Sequence, residues 1–247
     1  MPTEIEDSQL VEYNKQGFIP GPNEKGYNFL LRVSRLLKFS NQISSAEKSQ
    51  DFNVPFKIQE RIPLIERRPA ISRMQRFYGC SPMWVPAFYS NKSLSPWHGG
   101  CAWIPKQNDV KPTPYIQLRQ VFHSRPRYLL IYHRDDILTH EYAHIARLAF
   151  NESKYEELLA YRSSRSAFRR FFGPIVVSSL ESWMFIMTIL SLTLIDYSTL
   201  YSGNMQLYSQ LMWLKMIPFS MLGFATWRLS RLHQTFSRAW KHIQVIV

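Results

Sequence analysis

Residues 136 to 164 read DILTHEYAHIARLAFNESKYEELLAYRSS and contain two histidines four positions apart, with a glutamate directly after the first. Successive residues of an α-helix turn by about 100°, so His140 and His144 would project about 40° apart around the axis. Both imidazoles can then reach one metal ion. Glu141 would lie beside them, where it can take a proton from a water molecule at that ion. This spacing predicts a metal site that activates water.

The residues around this motif have the signals of a helix with two different faces. Asp135 and Asp136 are favoured N-cap residues ahead of the motif. On the face opposite the histidines, apolar residues recur at helical spacing: Leu138, Tyr142, Ile145 and Ala149. We therefore expect a helix with one face toward the metal and the other toward a core.

A third metal ligand is expected close by, because a catalytic zinc has three protein ligands and one open position. Three glutamates follow the motif: Glu152, Glu156 and Glu157. Ser153 and Glu156 have the spacing of a capping box, which predicts a second helix, and Asn151 is a residue at which the first can end. The sequence thus predicts two helices joined by a tight turn.

If these helices fold back on each other about Asn151, His144 faces Glu157 across the turn. Glu152 is too close to the turn to reach the histidines. Glu156 and Glu157 point about 100° apart on the second helix, so only one of them should face the metal. We favour Glu157 as the third ligand and retain Glu156 as the alternative.

The two short runs HEYAH at 140 to 144 and ELLAY at 157 to 161 together resemble the gluzincin group of zinc metallopeptidases. In that group the histidine motif is followed, on a later helix, by a glutamate in a context such as E-x-x-A-D. Tyr161 stands where the group has the last acid, which supports a histidine ligand. This departure leaves the group that orients His140 or His144 unidentified.

The resemblance implies a zinc peptidase in which His140, His144 and Glu157 hold Zn²⁺. Glu141 would take a proton from the attacking water and pass it to the leaving amine. A further donor must stabilise the oxyanion, and Tyr161 is the preferred residue. The same role is open to Tyr142 and His133.

The rest of the chain divides by composition into four segments. We expect an N-terminal helical segment at 1–50, a zincin-like metallopeptidase domain at 51–173, a transmembrane helical hairpin at 174–227 and a basic cytoplasmic tail at 228–247. The expected fold class is α+β. The zincin-like domain would combine a small sheet, including an edge strand, with the active-site helix and a backing helix.

Local patterns predict the elements of the first two segments. Within 1–50, the run GFIPGPNEKG separates two helical pieces, and the second has the apolar spacing of a helix packed on its own domain. Residues 51–113 show short strand-like runs such as CAWIP and no long periodic segment. The alternating run 114–122 predicts an edge strand, since Pro112 and Pro114 are tolerated there.

Two apolar segments after the motif, 174–195 and 207–227, each have the length needed to cross a bilayer as a helix. The connector between them contains no Lys or Arg. Each segment holds one charged residue, Glu181 or Lys215. These could pair by snorkelling, or each could face protein or water. The alternative is a helical hairpin buried in a soluble core.

The net charge of +12 is unevenly distributed along the chain. Residues 161–173 and 228–247 each contribute +4, whereas the apolar stretch between them contributes −1. Basic segments that bracket an apolar hairpin favour a membrane over nucleic acid, with both basic ends on the cytoplasmic face. The first residues have no apolar run, so the catalytic domain and both termini are expected in the cytoplasm, at the inner membrane if the organism is a bacterium.

These patterns predict a zinc endopeptidase that cleaves protein or peptide substrates near the membrane and contacts membrane lipid. Such a substrate would bind as an extra strand along the 114–122 edge. Two alternatives stay open. One is a non-proteolytic zinc hydrolase or regulator, and the other is a non-enzymatic membrane scaffold whose basic flanks bind anionic lipid.

Overall fold

The computed structural model describes residues 5–45, 56–95, 98–104, 113–129, 132–150 and 154–246. The chain forms two compact units, Met1–Arg165 and Ser166–Val247. The first mixes helices with a small sheet, and the second is helical. The fold class is therefore α+β.

The first unit contains six α-helices and five short strands among the described residues. The helices are α1 (Asp7–Lys15), α2 (Gly26–Ser45), α3 (Leu64–Tyr78), α4 (Val121–Ser124), α5 (Arg134–Ala146) and α6 (Glu156–Tyr161). The strands are β1 (Ala87–Tyr89), β2 (Gly100–Trp103), β3 (Tyr115–Leu118), β4 (Arg127–Tyr128) and β5 (Tyr132–His133).

The main sheet has the strand order β1-β3-β2, with β3 parallel to β1 and antiparallel to β2. The prediction of an edge strand at 114–122 is therefore wrong, because β3 is the central strand and residues 121–124 form α4. Burial explains the placement. Ile116 and Leu118 are fully buried, and the buried amide of Gln117 donates to the carbonyl oxygens of Ser90 and Lys92. The run CAWIP contributes the edge strand β2 instead.

Helix α3 lies in the region where no long periodic segment was expected. Its buried residues are Arg67, Ala70, Ile71 and Met74, a spacing typical of one helix face. Pro69 lies inside the helix and Arg67 is one of its buried residues, so hydrophobic periodicity in the sequence does not predict this helix. The helix packs against α5, so it forms the floor beneath the motif helix.

Helix α2 packs on its own domain as predicted. Its residues Phe29, Val33 and Leu36 are buried in the main core of the first unit. That core also contains Tyr142 and Leu138 from the apolar face of α5. The N-terminal helices and the motif helix therefore share one hydrophobic core.

The second unit is built from four α-helices and connecting 3₁₀ turns. The α-helices are α7 (Ala167–Phe172), α8 (Ser179–Tyr201), α9 (Met205–Leu211) and α10 (Met216–Ile246). Within the described ranges one helix is long and apolar enough to cross a membrane, at Leu180–Tyr201 of α8, with a mean hydropathy of 1.4. The second predicted span, 207–227, is divided among α9, a 3₁₀ turn and the start of α10.

Two ion pairs join α8 to the segment that follows it. Arg228 forms a two-pronged ion pair with Glu181, and Lys215 Nζ lies 3.0 Å from Asp196 Oδ2. The pairing of Glu181 with Lys215 that the sequence allowed is therefore wrong. Glu181, near the start of α8, instead pairs with Arg228, and Lys215 pairs with Asp196, near the end of α8.

Candidate metal centre

Helix α5 carries the motif and begins at Arg134, two or three residues earlier than expected. Its N-cap is His133, so the predicted N-caps Asp135 and Asp136 lie in the first turn. There the carboxylates interact favourably with the positive end of the helix dipole. They also form ion pairs with arginines of other segments, Asp136 with Arg73 and Asp135 with Arg165. The helix is buried along most of its length, which fixes the direction of the motif side chains.

The structure brings together the three predicted ligands. The Nε2 atoms of His140 and His144 lie 3.1 Å apart. The carboxylate oxygens of Glu157 lie 3.5 Å from His140 Nε2 and 3.4 Å from His144 Nε2. Ligand atoms about 2.0–2.1 Å from a tetrahedral zinc are roughly 3.3–3.4 Å from one another. The spacing of these atoms fits such an ion, and the group could hold a metal.

Glu156, the alternative third ligand, contacts the other nitrogen of His144. The Nδ1 of His144 lies 2.9 Å from Glu156 Oε1, the distance of a charge-assisted hydrogen bond. This contact orients the ring and turns Nε2 toward His140 and Glu157. The sequence offered Glu156 only as a competing ligand. Because Glu156 lies about 100° around the helix from Glu157, the sequence could have predicted that it contacts a different atom of the site from Glu157.

Glu141 is buried beside the histidines, with a relative exposure of 7%. Burial, reinforced by the charge of Glu157, raises the pKa of its carboxyl to about 7, although His144 and a hydrogen bond from the backbone amide of Ala102 act in the opposite direction. A carboxyl with a pKa near neutrality can both accept and release a proton. Ala102 belongs to the edge strand β2, so this strand runs beside the general-base candidate.

Helix α6 is short, and contacts outside it hold Glu157 in place. Tyr78 of α3 donates its hydroxyl to the carbonyl oxygen of Leu159. Beyond the helix, the backbone N–H of Arg165 donates to Asp136 Oδ2 over 3.3 Å.

Helix α5 ends at Ala146 with Arg147 as its C-cap, so the prediction that it ends at Asn151 is wrong. The N-cap of α6 is Tyr155 and not the predicted Ser153, and both Asn151 and Ser153 lie outside the described residues.

Among the proposed oxyanion donors, Tyr142 is excluded by its burial. Its side chain is fully buried on the core face of α5, and its hydroxyl accepts from Arg67 Nη1 at 3.2 Å. Tyr161 packs its ring edge-to-face on His140, with centroids 4.4 Å apart. His133 lies in β5, directly before α5. Tyr161 is therefore beside the metal group, in the place of the expected acid.

Comparison of the chain with protein-family models, with curated protein sequences and with solved structures gives no match in any of the three.

Proposed function

We propose that the chain is a membrane-anchored zinc-dependent endopeptidase. The observation that carries this proposal is the convergence of His140, His144 and Glu157 beside a buried glutamate with a pKa of about 7. The resemblance of the two motif runs to gluzincins supports the same reading. The coarse fold, a small sheet packed against the motif helix, is compatible with a zincin-like domain.

The donor set favours zinc among common metal ions. Two imidazole nitrogens and one carboxylate at tetrahedral spacing are typical of catalytic zinc sites, whereas magnesium and calcium prefer oxygen ligands. When bound, zinc would polarise the scissile carbonyl and lower the pKa of a water molecule. Glu156 would keep the Nδ1 of His144 protonated, so that its Nε2 is available as a ligand.

Glu141 would act as the general base. It accepts a proton from the attacking water, and as a neutral carboxylic acid it then donates that proton to the leaving amine. Its burial next to Glu157 supports this role, because both effects bring its pKa close to neutral pH. Tyr161 remains the preferred oxyanion donor, since it is the tyrosine that contacts His140.

A peptide substrate would bind along β2. This strand pairs with β3 on one side, and within the described residues no strand pairs with its other side. An extended peptide can add to such an edge through main-chain hydrogen bonds. Because the amide of Ala102 reaches Glu141, a peptide on β2 would lie near the general base. The proposed peptide-binding edge is therefore strand β2, Gly100–Trp103, and not the run 114–122.

The membrane part of the proposal has support from α8 and its charge pairs. Large apolar residues are exposed along α8, including Leu180, Leu190 and Leu194. The two ion pairs are separated by about 22 Å along α8, from Glu181 to Asp196, at 1.5 Å per residue. Paired charges near both ends of a roughly 30 Å hydrocarbon layer are tolerated. We infer a spanning hairpin of α8 with the segment ending at Arg228.

This hairpin would place the catalytic unit in the cytoplasm, since both basic flanks favour that side, which in a bacterium is the inner face of the inner membrane. Only residues 166–179 lie between Arg165, the end of the first unit, and Leu180, where the apolar stretch of α8 begins. Such a short tether favours protein substrates close to the membrane.

The test is digestion of a peptide library by the purified full-length chain and by Glu141→Gln, with metal content measured on both. We expect cleavage by the wild type, loss of at least about 1000-fold in Glu141→Gln, and one zinc per chain in each. His140→Ala should lose the metal, while His123→Ala, an exposed histidine outside the site, should keep both metal and activity. Bound zinc without a cleavage difference would indicate a non-proteolytic hydrolase or regulator, and absence of stoichiometric zinc would overturn the metal site.

A further inference from the structure

Strand β2 ends in a tryptophan whose side chain is held by a hydrogen bond. Trp103 donates its indole N–H to Gln117 Oε1 over 2.8 Å. The side chain of Gln117 is itself fixed, because it is fully buried and its amide donates to the carbonyl oxygens of Ser90 and Lys92. The indole is therefore held in place although Trp103 is 37% exposed. A ring that is already held loses little conformational entropy when a ligand packs against it.

This indole lies at the end of a row of aromatic side chains on one face of the sheet. Trp103 is opposite Tyr115 of β3, and the two rings stack with centroids 6.1 Å apart. The ring of Tyr115 in turn contacts Phe56 and Phe88 edge-to-face, with centroids 5.3 and 6.5 Å apart. Phe56 and Phe88 are buried, whereas Trp103 belongs to the edge strand. The row therefore has a buried end and an open end.

The aromatic row is on the face of the sheet that points away from the motif helix. A Cβ atom added to Gly100 would lie 2.7 Å from Ile137 Cγ2, so Gly100 of β2 faces α5. Side chains alternate between the two faces of a strand, which places Ala102 on the same face as Gly100 and Trp103 on the other. The backbone amide of Ala102 hydrogen-bonds to Glu141. Strand β2 thus has the general-base candidate beside one residue and the aromatic row at the next.

A peptide that adds to β2 would direct alternate side chains to these two features. Residues directly opposite each other on neighbouring strands have Cβ atoms about 4.5–5.5 Å apart, and aromatic pairs at such positions are favourable. The peptide residue opposite Trp103 would therefore extend the aromatic row by one ring. Its neighbour in the peptide would lie opposite Ala102, beside Glu141. The side chain in contact with Trp103 thus belongs to a residue close to the scissile bond.

We infer that β2 selects peptide substrates with an aromatic side chain, which packs against the indole of Trp103 at the open end of the row. This inference rests on the proposed function, because it names the class of peptide that β2 would bind. An aromatic partner is favoured over an aliphatic one, since stacked and edge-to-face rings gain energy beyond the apolar area that they bury. Trp103 would determine specificity and take no part in the chemistry at the metal centre.

The experiment is digestion of a library of defined peptides by the purified full-length chain, with the cleavage sites read by mass spectrometry. We expect one position near the scissile bond to be enriched roughly ten-fold in phenylalanine, tyrosine and tryptophan. Trp103→Ala should lose this enrichment but still bind zinc and cleave other sites. Trp103→Phe should keep much of it, because a ring remains at the end of the row. Phe77→Ala removes an aromatic ring of α3 that is 47% exposed and should leave the preference unchanged.

A binding measurement separates this inference from the peptidase proposal. The zinc-loaded Glu141→Gln variant, which should not cleave, is incubated with the same library, and the retained peptides are identified. Peptides with an aromatic residue should be enriched about ten-fold among those retained. Adding Trp103→Ala to this variant should remove the enrichment. Trp103→Leu gives the same test with a larger apolar side chain if Trp103→Ala does not fold.

Equal retention of aromatic and aliphatic peptides, or an unchanged aromatic preference in Trp103→Ala, would overturn the inference. Cleavage without an aromatic preference would also overturn it and would leave the peptidase proposal intact. Selective retention of aromatic peptides without cleavage by the wild type would support the inference and contradict the peptidase proposal. Absence of both retention and cleavage would overturn both.

Discussion

The adjacent glutamates Glu156 and Glu157 make different contacts at the candidate metal centre. Glu157 approaches the Nε2 atoms of both histidines, at 3.4 and 3.5 Å, whereas Glu156 contacts the Nδ1 of His144 at 2.9 Å. Because neighbouring positions on a helix point about 100° apart, one turn of α6 can supply a ligand and the group that orients another ligand. In the proposed zinc site, Glu156 would be the group that orients His144.

Alanine substitutions should separate these tasks. Glu156→Ala should weaken zinc binding about 10- to 100-fold, because His144 loses the carboxylate that orients it. Glu157→Ala should weaken it more, because a ligand is lost. Competition titration with a chromogenic chelator measures both affinities. A larger loss in Glu156→Ala than in Glu157→Ala would reverse the assignment of ligand and orienting residue.

The elements around the site are connected by charged side chains as well as by the core. Asp136, in the first turn of α5, is 4% exposed and accepts from Arg73 of α3 at 2.7 Å. It also accepts the backbone N–H of Arg165, beyond the end of α6. One carboxylate thus links the motif helix to the helix beneath it and to the segment that follows Glu157.

Asp136→Asn should therefore destabilise the first unit and loosen its metal site. We expect a loss of about 2–3 kcal/mol in the free energy of unfolding, since a buried carboxylate with two partners loses its charge. Zinc affinity should fall as well, because α6 loses an anchor. Asp135→Asn is the matched control. Its carboxylate is more exposed and contacts arginine side chains at 3.4 and 3.5 Å, so its effect should stay below about 1 kcal/mol.

Chemical denaturation of both variants measures these free energies. An equal decrease in the free energy of unfolding for Asp136→Asn and Asp135→Asn would contradict the role of Asp136 in linking α3, α5 and α6.

For the molecule as a whole, the main contrast is between a unit with a buried core and a unit with an exposed apolar surface. The first unit buries Phe29, Leu118 and Tyr142 completely, whereas only 6% of the apolar stretch of α8 is buried. An apolar surface of this length on a soluble protein would favour aggregation. A lipid environment would accommodate this surface, as the membrane part of the proposed function requires.

An arginine in the middle of α8 should therefore impair membrane insertion. Leu190→Arg introduces a charge near the centre of the apolar stretch, where insertion costs about 2.5–3.5 kcal/mol. We expect a reduced fraction of protein resistant to alkaline carbonate extraction. Ile65→Arg, at a position of α3 that is 65% exposed, is the control and should behave like the wild type. Full carbonate resistance of Leu190→Arg would contradict a spanning role for α8.

Features that depend on residues close together in the sequence could be predicted from the sequence alone. The histidine motif, the two faces of α5, the amphipathic α2 and the apolar α8 all follow from local spacing and composition. The helix α3 has a regular buried face too, but Arg67 within that face conceals it. An arginine is buried here because its guanidinium donates to Val85 and Tyr142, which are distant in sequence.

Other features were decided by tertiary structure. The position of β3 between two strands, the partners of Glu181 and Lys215, and the separate contacts of Glu156 and Glu157 all join residues far apart in the chain. Strand order and ion pairing depend on which surfaces meet once the core has formed, and residue types alone leave several pairings open. The sequence by itself therefore determined the chemical groups and the helices that carry them, while the packing of distant segments decided which groups meet.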